Sequence, residues 1–226
     1  MKAIPAWKRW LSYLTELHVE SAPSALNPHL YVSLVDGRYQ LSTANAVYSF
    51  ADKYDNYTLA FRQVRPELLR GDVLVLGYGL GSVPHLLEKS HPADYRFTGV
   101  ELDENVLYLA DQYGPPLSSP VDLLLADAYG FVLQDYRQYQ LIAMDVFMDD
   151  VIPAHFQSID YLEALRERLA PDGVLLYNCL ALKPSDKAQA LAFFEGNFKR
   201  VFPEGTYLDV DGNYMLVNTA GVLFTA

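Results

Sequence analysis

The sequence predicts an α/β fold: an open, mostly parallel sheet that ends in an antiparallel strand pair and is preceded by a helix and a small β-meander. Three observations lead there. From Asp72 onward, short apolar runs alternate with segments of helical periodicity, as expected for strands covered on both faces by crossover helices. A glycine-rich turn, Gly77-Tyr78-Gly79-Leu80-Gly81, follows the first of those runs, at the point where such a sheet passes from strand to helix. Near both ends of the chain, Asp36-Gly37 and Asp211-Gly212 separate pairs of β-rich runs, and these dipeptides tolerate the positive φ of tight hairpin turns.

In chain order, Pro5 precedes Trp7, Trp10, Leu11, Leu14 and Leu17, whose spacings of three and four predict a short helix with its stripe packed on the core or on another subunit. Runs 30–35 and 38–43 form the first hairpin. Residues 1–66 are read as helix and meander and residues 67–226 as a Rossmann-like nucleotide-binding domain. A small meander buries little apolar surface alone, so a lid or dimer contact is expected of it. Strands are predicted at 73–76, 97–101, 122–126, 141–145 and 174–178, with helices at 82–89, 104–112, 128–133 and 158–169. Pro171-Asp172-Gly173 stops the last of these helices. A helix at 187–197 and strands at 200–202, 206–210 and 214–218 complete the chain.

Composition narrows the function. With 17 basic against 28 acidic residues the net charge is -11, which repels polyphosphates and argues against a nucleic-acid partner; a cationic or neutral small molecule fits better. One cysteine, Cys179, forms no intrachain disulfide and no cysteine-based zinc site, so a reducing, cytoplasmic setting is expected. The five histidines lack metal-ligand spacing, and no metal is expected. No apolar run approaches the roughly 20 residues that span a bilayer, and the N-terminus lacks the apolar core of a signal peptide, so no membrane partner is expected.

The candidate site follows from sheet geometry. Gly77, Gly79 and Gly81 allow a sharp turn and a close approach to a nucleotide, and Glu101 ends the next strand, where a carboxylate accepts hydrogen bonds from ribose hydroxyls. Asp127 and Asp145 follow the third and fourth strands. Parallel strands share one carboxyl edge, so these groups should converge on one crevice, although each acid alone could merely cap the next helix. The spacing Gly77-x-Gly79-x-Gly81, with Ser82 at the third glycine of an NAD fingerprint, speaks against a dinucleotide. Tyr48, Tyr54, Tyr57, Tyr78 and His155 are candidates for the walls.

Several segments carry a resemblance: Leu34-Val35-Asp36-Gly37-Arg38-Tyr39-Gln40-Leu41, Val73-Leu74-Val75-Leu76-Gly77-Tyr78-Gly79, Gly99-Val100-Glu101-Leu102-Asp103, Ala126-Asp127-Ala128 and Tyr139-Gln140-Leu141-Ile142-Ala143-Met144-Asp145. Pro153, Asp160-Tyr161-Leu162 and Leu169-Ala170-Pro171-Asp172-Gly173-Val174-Leu175 continue it. Together they resemble the spermidine synthases, aminopropyltransferases with the class I S-adenosylmethionine-dependent methyltransferase fold. The resemblance implies a nucleotide site of Gln40, Gly77, Gly79, Gly81, Glu101, Asp127 and Ala128. The glycine turn would face the methionine part, Glu101 the ribose and Asp127 the adenine amino group, with Asp145 the base beside the attacking amine. The co-substrate would be S-adenosylmethionine or its decarboxylated form, the acceptor a small amine, and a homodimer is possible. Four departures touch the amine half. No acid ends the glycine turn, Asn45-Ala46 replaces an Asp-Glu pair, Tyr48-Ser49-Phe50 replaces a Tyr-His-Glu run, and Asp145-Val146-Phe147-Met148-Asp149 replaces Asp-x-x-Asp-Pro. The expected function is therefore alkyl, specifically aminopropyl, transfer; methyl transfer to a small molecule and a non-catalytic nucleotide-binding relative are the alternatives.

Overall fold

The computed structural model describes residues 2–27 and 29–224. A short helix α1 (Ala6–Leu11) leads into a four-stranded antiparallel sheet of β1 (Leu17–Ala22), β2 (Leu30–Val35), β3 (Arg38–Ser42) and β4 (Val47–Ser49), in that order. The β2–β3 turn is the expected one: Val35 pairs with Arg38, and Asp36 and Gly37 adopt φ of 48° and 74°. Helix α2 (Asp55–Phe61), which has no clear periodicity in the sequence, then buries Tyr57 and Phe61.

The large sheet contains β5 (Gly71–Leu76), β6 (Tyr95–Glu101), β7 (Val121–Leu125), β8 (Tyr139–Met144), β9 (Leu169–Leu180), β10 (Thr206–Asp209) and β11 (Asn213–Val217). Its order is β10-β11-β9-β8-β5-β6-β7, parallel except that β11 runs antiparallel to both β9 and β10. The order reverses between β5 and β8, and in open α/β sheets the crevice at such a switch point is where ligands bind.

Both faces are covered, which explains the unbroken apolar strands. On one face, Val73 and Val75 of β5 meet α3 (Ser82–Ser90), α4 (Glu104–Tyr113) and α2 through Leu86, Leu109 and Phe61. Leu30, Val32, Leu34 and Leu41 of the meander join that same core. On the other face, Leu74 and Leu76 meet α5 (Ala128–Gln134), α6 (Ile159–Arg168) and α7 (Pro184–Phe193) through Val132, Leu165 and Phe193.

Two expectations are corrected. The N-terminal stripe does not pack on the core of its own chain: Trp7, Trp10 and Leu14 are 65%, 67% and 70% exposed, and Leu17 belongs to β1, because the helix is too short to carry the whole pattern. Residues 200–202 are not a strand. Helix α7 continues through a π turn, Phe194–Phe198, into a last helical turn, Lys199–Val201, which buries Phe198 and Val201.

Gly77, just after β5, lies against the backbone that follows β8. It has φ of 81°, and a Cβ there would lie 2.3 Å from the carbonyl oxygen of Asp145. Gly77→Ala should destabilise the protein by at least about 2 kcal/mol, combining an unfavourable left-handed backbone with a clash that only backbone movement relieves. Urea denaturation measures it; a loss under about 0.5 kcal/mol would show that the approach is not constrained.

Candidate functional site

At the carboxyl edge of the sheet lies a crevice of about 520 Å3, lined by Gly77, Gly79, Glu101, Asp127, Ala128 and Asp145 together with residues of the meander. Of the residues singled out in the sequence, Gln40, Gly81, Tyr57 and Tyr78 do not line it, the two tyrosines being buried in the core. The Gln40 amide donates to Ser42 Oγ at 2.9 Å, and Gly81 supplies the left-handed residue that starts α3 against the ring of Tyr78. The glycines serve packing within the protein as well as any ligand. A Cβ on Gly79 would lie 3.1 Å from the carbonyl oxygen of Tyr48, so this glycine lets the meander close over the turn. Ser82 completes that closure through Ser49 Oγ at 2.6 Å and the Phe50 N–H at 3.0 Å.

Glu101 is fixed by backbone donors. Its Oε2 accepts from the Gly79 N–H at 3.2 Å, and its Oε1 from the Leu102 and Asp103 N–H groups at 2.9 and 3.2 Å. Burial pushes its carboxyl above the ordinary value, and those three N–H groups pull against the shift. Asp127 lines the crevice and also caps α5, accepting from the Gly130 N–H at 3.0 Å, so capping and exposure to the crevice coexist. Asp103, which sequence reasoning passed over, caps α4 and accepts a hydrogen bond from Ser24, drawing the 24–27 segment over the crevice.

Asp145 follows β8 and is held from two sides. Tyr54 Oη donates to Oδ2 at 2.8 Å, and Asn178 Nδ2 donates to Oδ1 at 2.8 Å. Asn178 is itself fixed, its Oδ1 accepting from Asn213 Nδ2 at 2.9 Å across the β9–β11 pair. Desolvation pushes the Asp145 carboxyl up to about 6, and the two hydrogen bonds limit the rise. Asn178 was legible only as an amide at the end of an apolar strand; its role depends on β8 and β9 being neighbours.

The next acid in the loop has a different task. Asp149, at φ of 55°, accepts from Thr43 Oγ1 at 2.6 Å and from Asn45 Nδ2 at 2.5 Å, and its own N–H donates to Tyr48 Oη at 2.6 Å. It clasps the β8 loop to the meander. The lining as a whole carries nine carboxylates, Asp55, Glu101, Asp103, Asp127, Asp145, Asp149, Asp150, Asp186 and Asp211, against Lys53 and Lys183, so the field favours a cation. Among the described residues no cluster of three or more histidine, cysteine or carboxylate side chains could hold a metal ion.

Comparison with known proteins agrees with this geometry. No protein-family model matches the chain. It is 30% identical over 107 residues to a "Probable polyamine aminopropyl transferase" of Bifidobacterium longum, covering 46% of this chain and 23% of that protein. It is 29% identical over 131 residues to a polyamine aminopropyltransferase of Vibrio vulnificus, covering 55% and 42%. The matches thus span well under half of either relative. A "probable spermidine synthase" of Corynebacterium glutamicum superposes with a TM-score of 0.66 at 17% identity, covering 89% of this chain and 79% of that one. The chain has a spermidine-synthase-like class I methyltransferase fold. Human methyltransferase-like protein 13, solved with SAH, shares this fold at 26% identity and a TM-score of 0.58, covering 74% and 81%. The antiparallel strand pair that the sequence predicts at the C-terminal end of the large sheet is present as β10 and β11.

The raised Asp145 carboxyl has a consequence for stability. In the unfolded chain it titrates near its model value of 3.8, in the folded protein near 6. The folded state therefore prefers the protonated form, and wild type loses stability as pH rises from about 4 to 6, by up to about 3 kcal/mol. Asp145→Asn does not ionise, so it should gain on wild type across that interval and hold its advantage above pH 6. Urea denaturation of both proteins from pH 4 to 8 checks this; a difference that does not vary with pH would place Asp145 in a polar environment.

Proposed function

We propose that the chain transfers an alkyl group, in the first reading an aminopropyl group, from an S-adenosyl-type sulfonium to a small amine. The observation that carries this is Asp145, a carboxylate fixed by Tyr54 and Asn178 at the switch point of the sheet, in a crevice rich in acids. The residues fit such a nucleotide: Glu101 is locked by backbone donors at the crevice with Asp127 nearby, and the field suits a sulfonium. Bound, the sulfonium supplies an activated carbon and a neutral thioether leaving group.

The chain's part is alignment and proton transfer. An ammonium has no lone pair, so it must lose a proton before its nitrogen attacks the carbon on sulfur. The new C–N bond forms as the C–S bond breaks, and the bonding pair stays on sulfur. A carboxylate titrating near 6 accepts that proton about a hundredfold more readily than one at 3.8. Tyr54, whose phenol burial raises well above its ordinary range, stays a donor and fixes the carboxylate's orientation.

Methyl transfer from S-adenosylmethionine is a second reading, favoured by Lys53. Only that form of the nucleotide has a carboxylate, and Lys53 is one of two lysines facing the crevice. Calorimetry separates the two: under the first reading the decarboxylated nucleotide binds more tightly, under the second S-adenosylmethionine does, and Lys53→Met weakens only the latter.

Asp145→Asn should lower turnover by about 10²–10⁴ while methylthioadenosine affinity stays within about threefold. Product formation by chromatography and calorimetry check the two halves; full turnover in the variant would remove Asp145 as the base.

A further inference from the structure

Two asparagines connect the Asp145 carboxylate to the C-terminal hairpin. The strand register sets Asn213 opposite Leu180 and Met215 opposite Asn178, so Asn178 and Asn213 are diagonal neighbours on one face of the β9–β11 pair. The turn that carries Asn213 is fixed against the end of β9. Asp211 and Gly212 have φ of 56° and 89°, and the Gly212 carbonyl accepts from the Ala181 N–H at 2.8 Å. Asp211 and Asn213 both line the crevice.

A primary amide has two ends of nearly the same shape, one a donor and the other an acceptor. Asn178 is buried, so its neighbours decide which end meets Asp145. Asn213 Nδ2 donates to Asn178 Oδ1 at 2.9 Å, and this directs Asn178 Nδ2 onto Asp145 Oδ1 at 2.8 Å. Turned over, the Asn178 amide would set its oxygen against the carboxylate, a repulsive contact that protonation of Asp145 relieves. The other groups around Asp145 do not compete for this contact. Tyr54 holds the second carboxylate oxygen, and burial keeps the Tyr54 and Tyr57 phenols and the Cys179 thiol uncharged in the neutral range. The other carboxylates of the crevice, with Lys53, Lys183 and His155, make no hydrogen bond or ion pair with Asp145 among the described residues.

We propose that Asn213 is a positioning residue for Asp145: acting through Asn178, it keeps an amide N–H on the carboxylate and thereby sets how readily that carboxylate takes a proton. The C-terminal hairpin is then part of the proton-accepting apparatus and not only an edge of the sheet. The consequence for amine activation rests on the transfer reading, whereas the effect on Asp145 itself needs no substrate.

NMR titration of the whole chain, with the aspartate carboxyl carbons isotopically labelled, tests it; the Asp145 signal is the one missing from Asp145→Asn. In wild type that signal should titrate near 6. Asn213→Leu and the smaller Asn213→Ala remove the donor without adding charge, and each should raise the midpoint by at least about half a pH unit. In an Asn178→Ala background, adding Asn213→Leu should produce no further rise, because the residue through which it acts is gone. A midpoint that stays put or falls in Asn213→Leu and Asn213→Ala would overturn the proposal, as would an undiminished rise from Asn213→Leu in the Asn178→Ala background. Absence of turnover in wild type, with the titration pattern intact, would instead remove the transfer reading and leave the positioning role standing.

Discussion

The site depends on the close approach of β5 and β8 at their carboxyl ends. The backbone N–H of Asp145 donates to the Leu76 carbonyl at 2.8 Å, and Gly77, lacking a Cβ, leaves the space that the Asp145 carbonyl occupies. From that junction the carboxylate is presented to the crevice and steadied by one residue from each side, Tyr54 before α2 and Asn178 on β9. A side chain at 77 would separate the strands and move the carboxylate from both donors.

The meander is tied to the same place. Gly79 admits the Tyr48 backbone, Ser82 holds Ser49 and Phe50, and Asp149 holds Thr43 and Asn45. The N-terminal sheet thus closes over the crevice while Leu30, Val32 and Leu41 share the core beneath it. Acids are divided among tasks by their surroundings: Glu101 is locked by backbone donors, Asp127 and Asp103 cap helices at the rim, Asp149 is a clasp, and Asp145 keeps a raised carboxyl because desolvation outweighs its two hydrogen bonds. This division gives the loop that follows Asp145 a structural role in joining the two sheets.

Much of this was legible in the sequence because it is local or periodic. The central strands and their helices announced themselves by apolar runs and 3.6-residue spacing, and the hairpin at Asp36-Gly37 by its turn chemistry. Parallel strands share an edge, so Glu101, Asp127 and Asp145 could be placed together before any coordinates. What escaped depends on contacts between distant segments: the Asn213–Asn178–Asp145 chain, the Asp149 clasp and the side-chain direction of Gln40. The exposed Trp7 and Trp10 misled for another reason, since periodicity reports an amphipathic face and not whether this chain covers it.

The most direct test of the account is a crystal structure with methylthioadenosine. The ribose hydroxyls should lie within hydrogen-bonding distance of Glu101 and the adenine beside Asp127. The thioether sulfur should lie over the Gly77–Gly79 turn, open toward Asp145. A nucleoside seated outside this crevice, or one whose sulfur points away from Asp145, would contradict it.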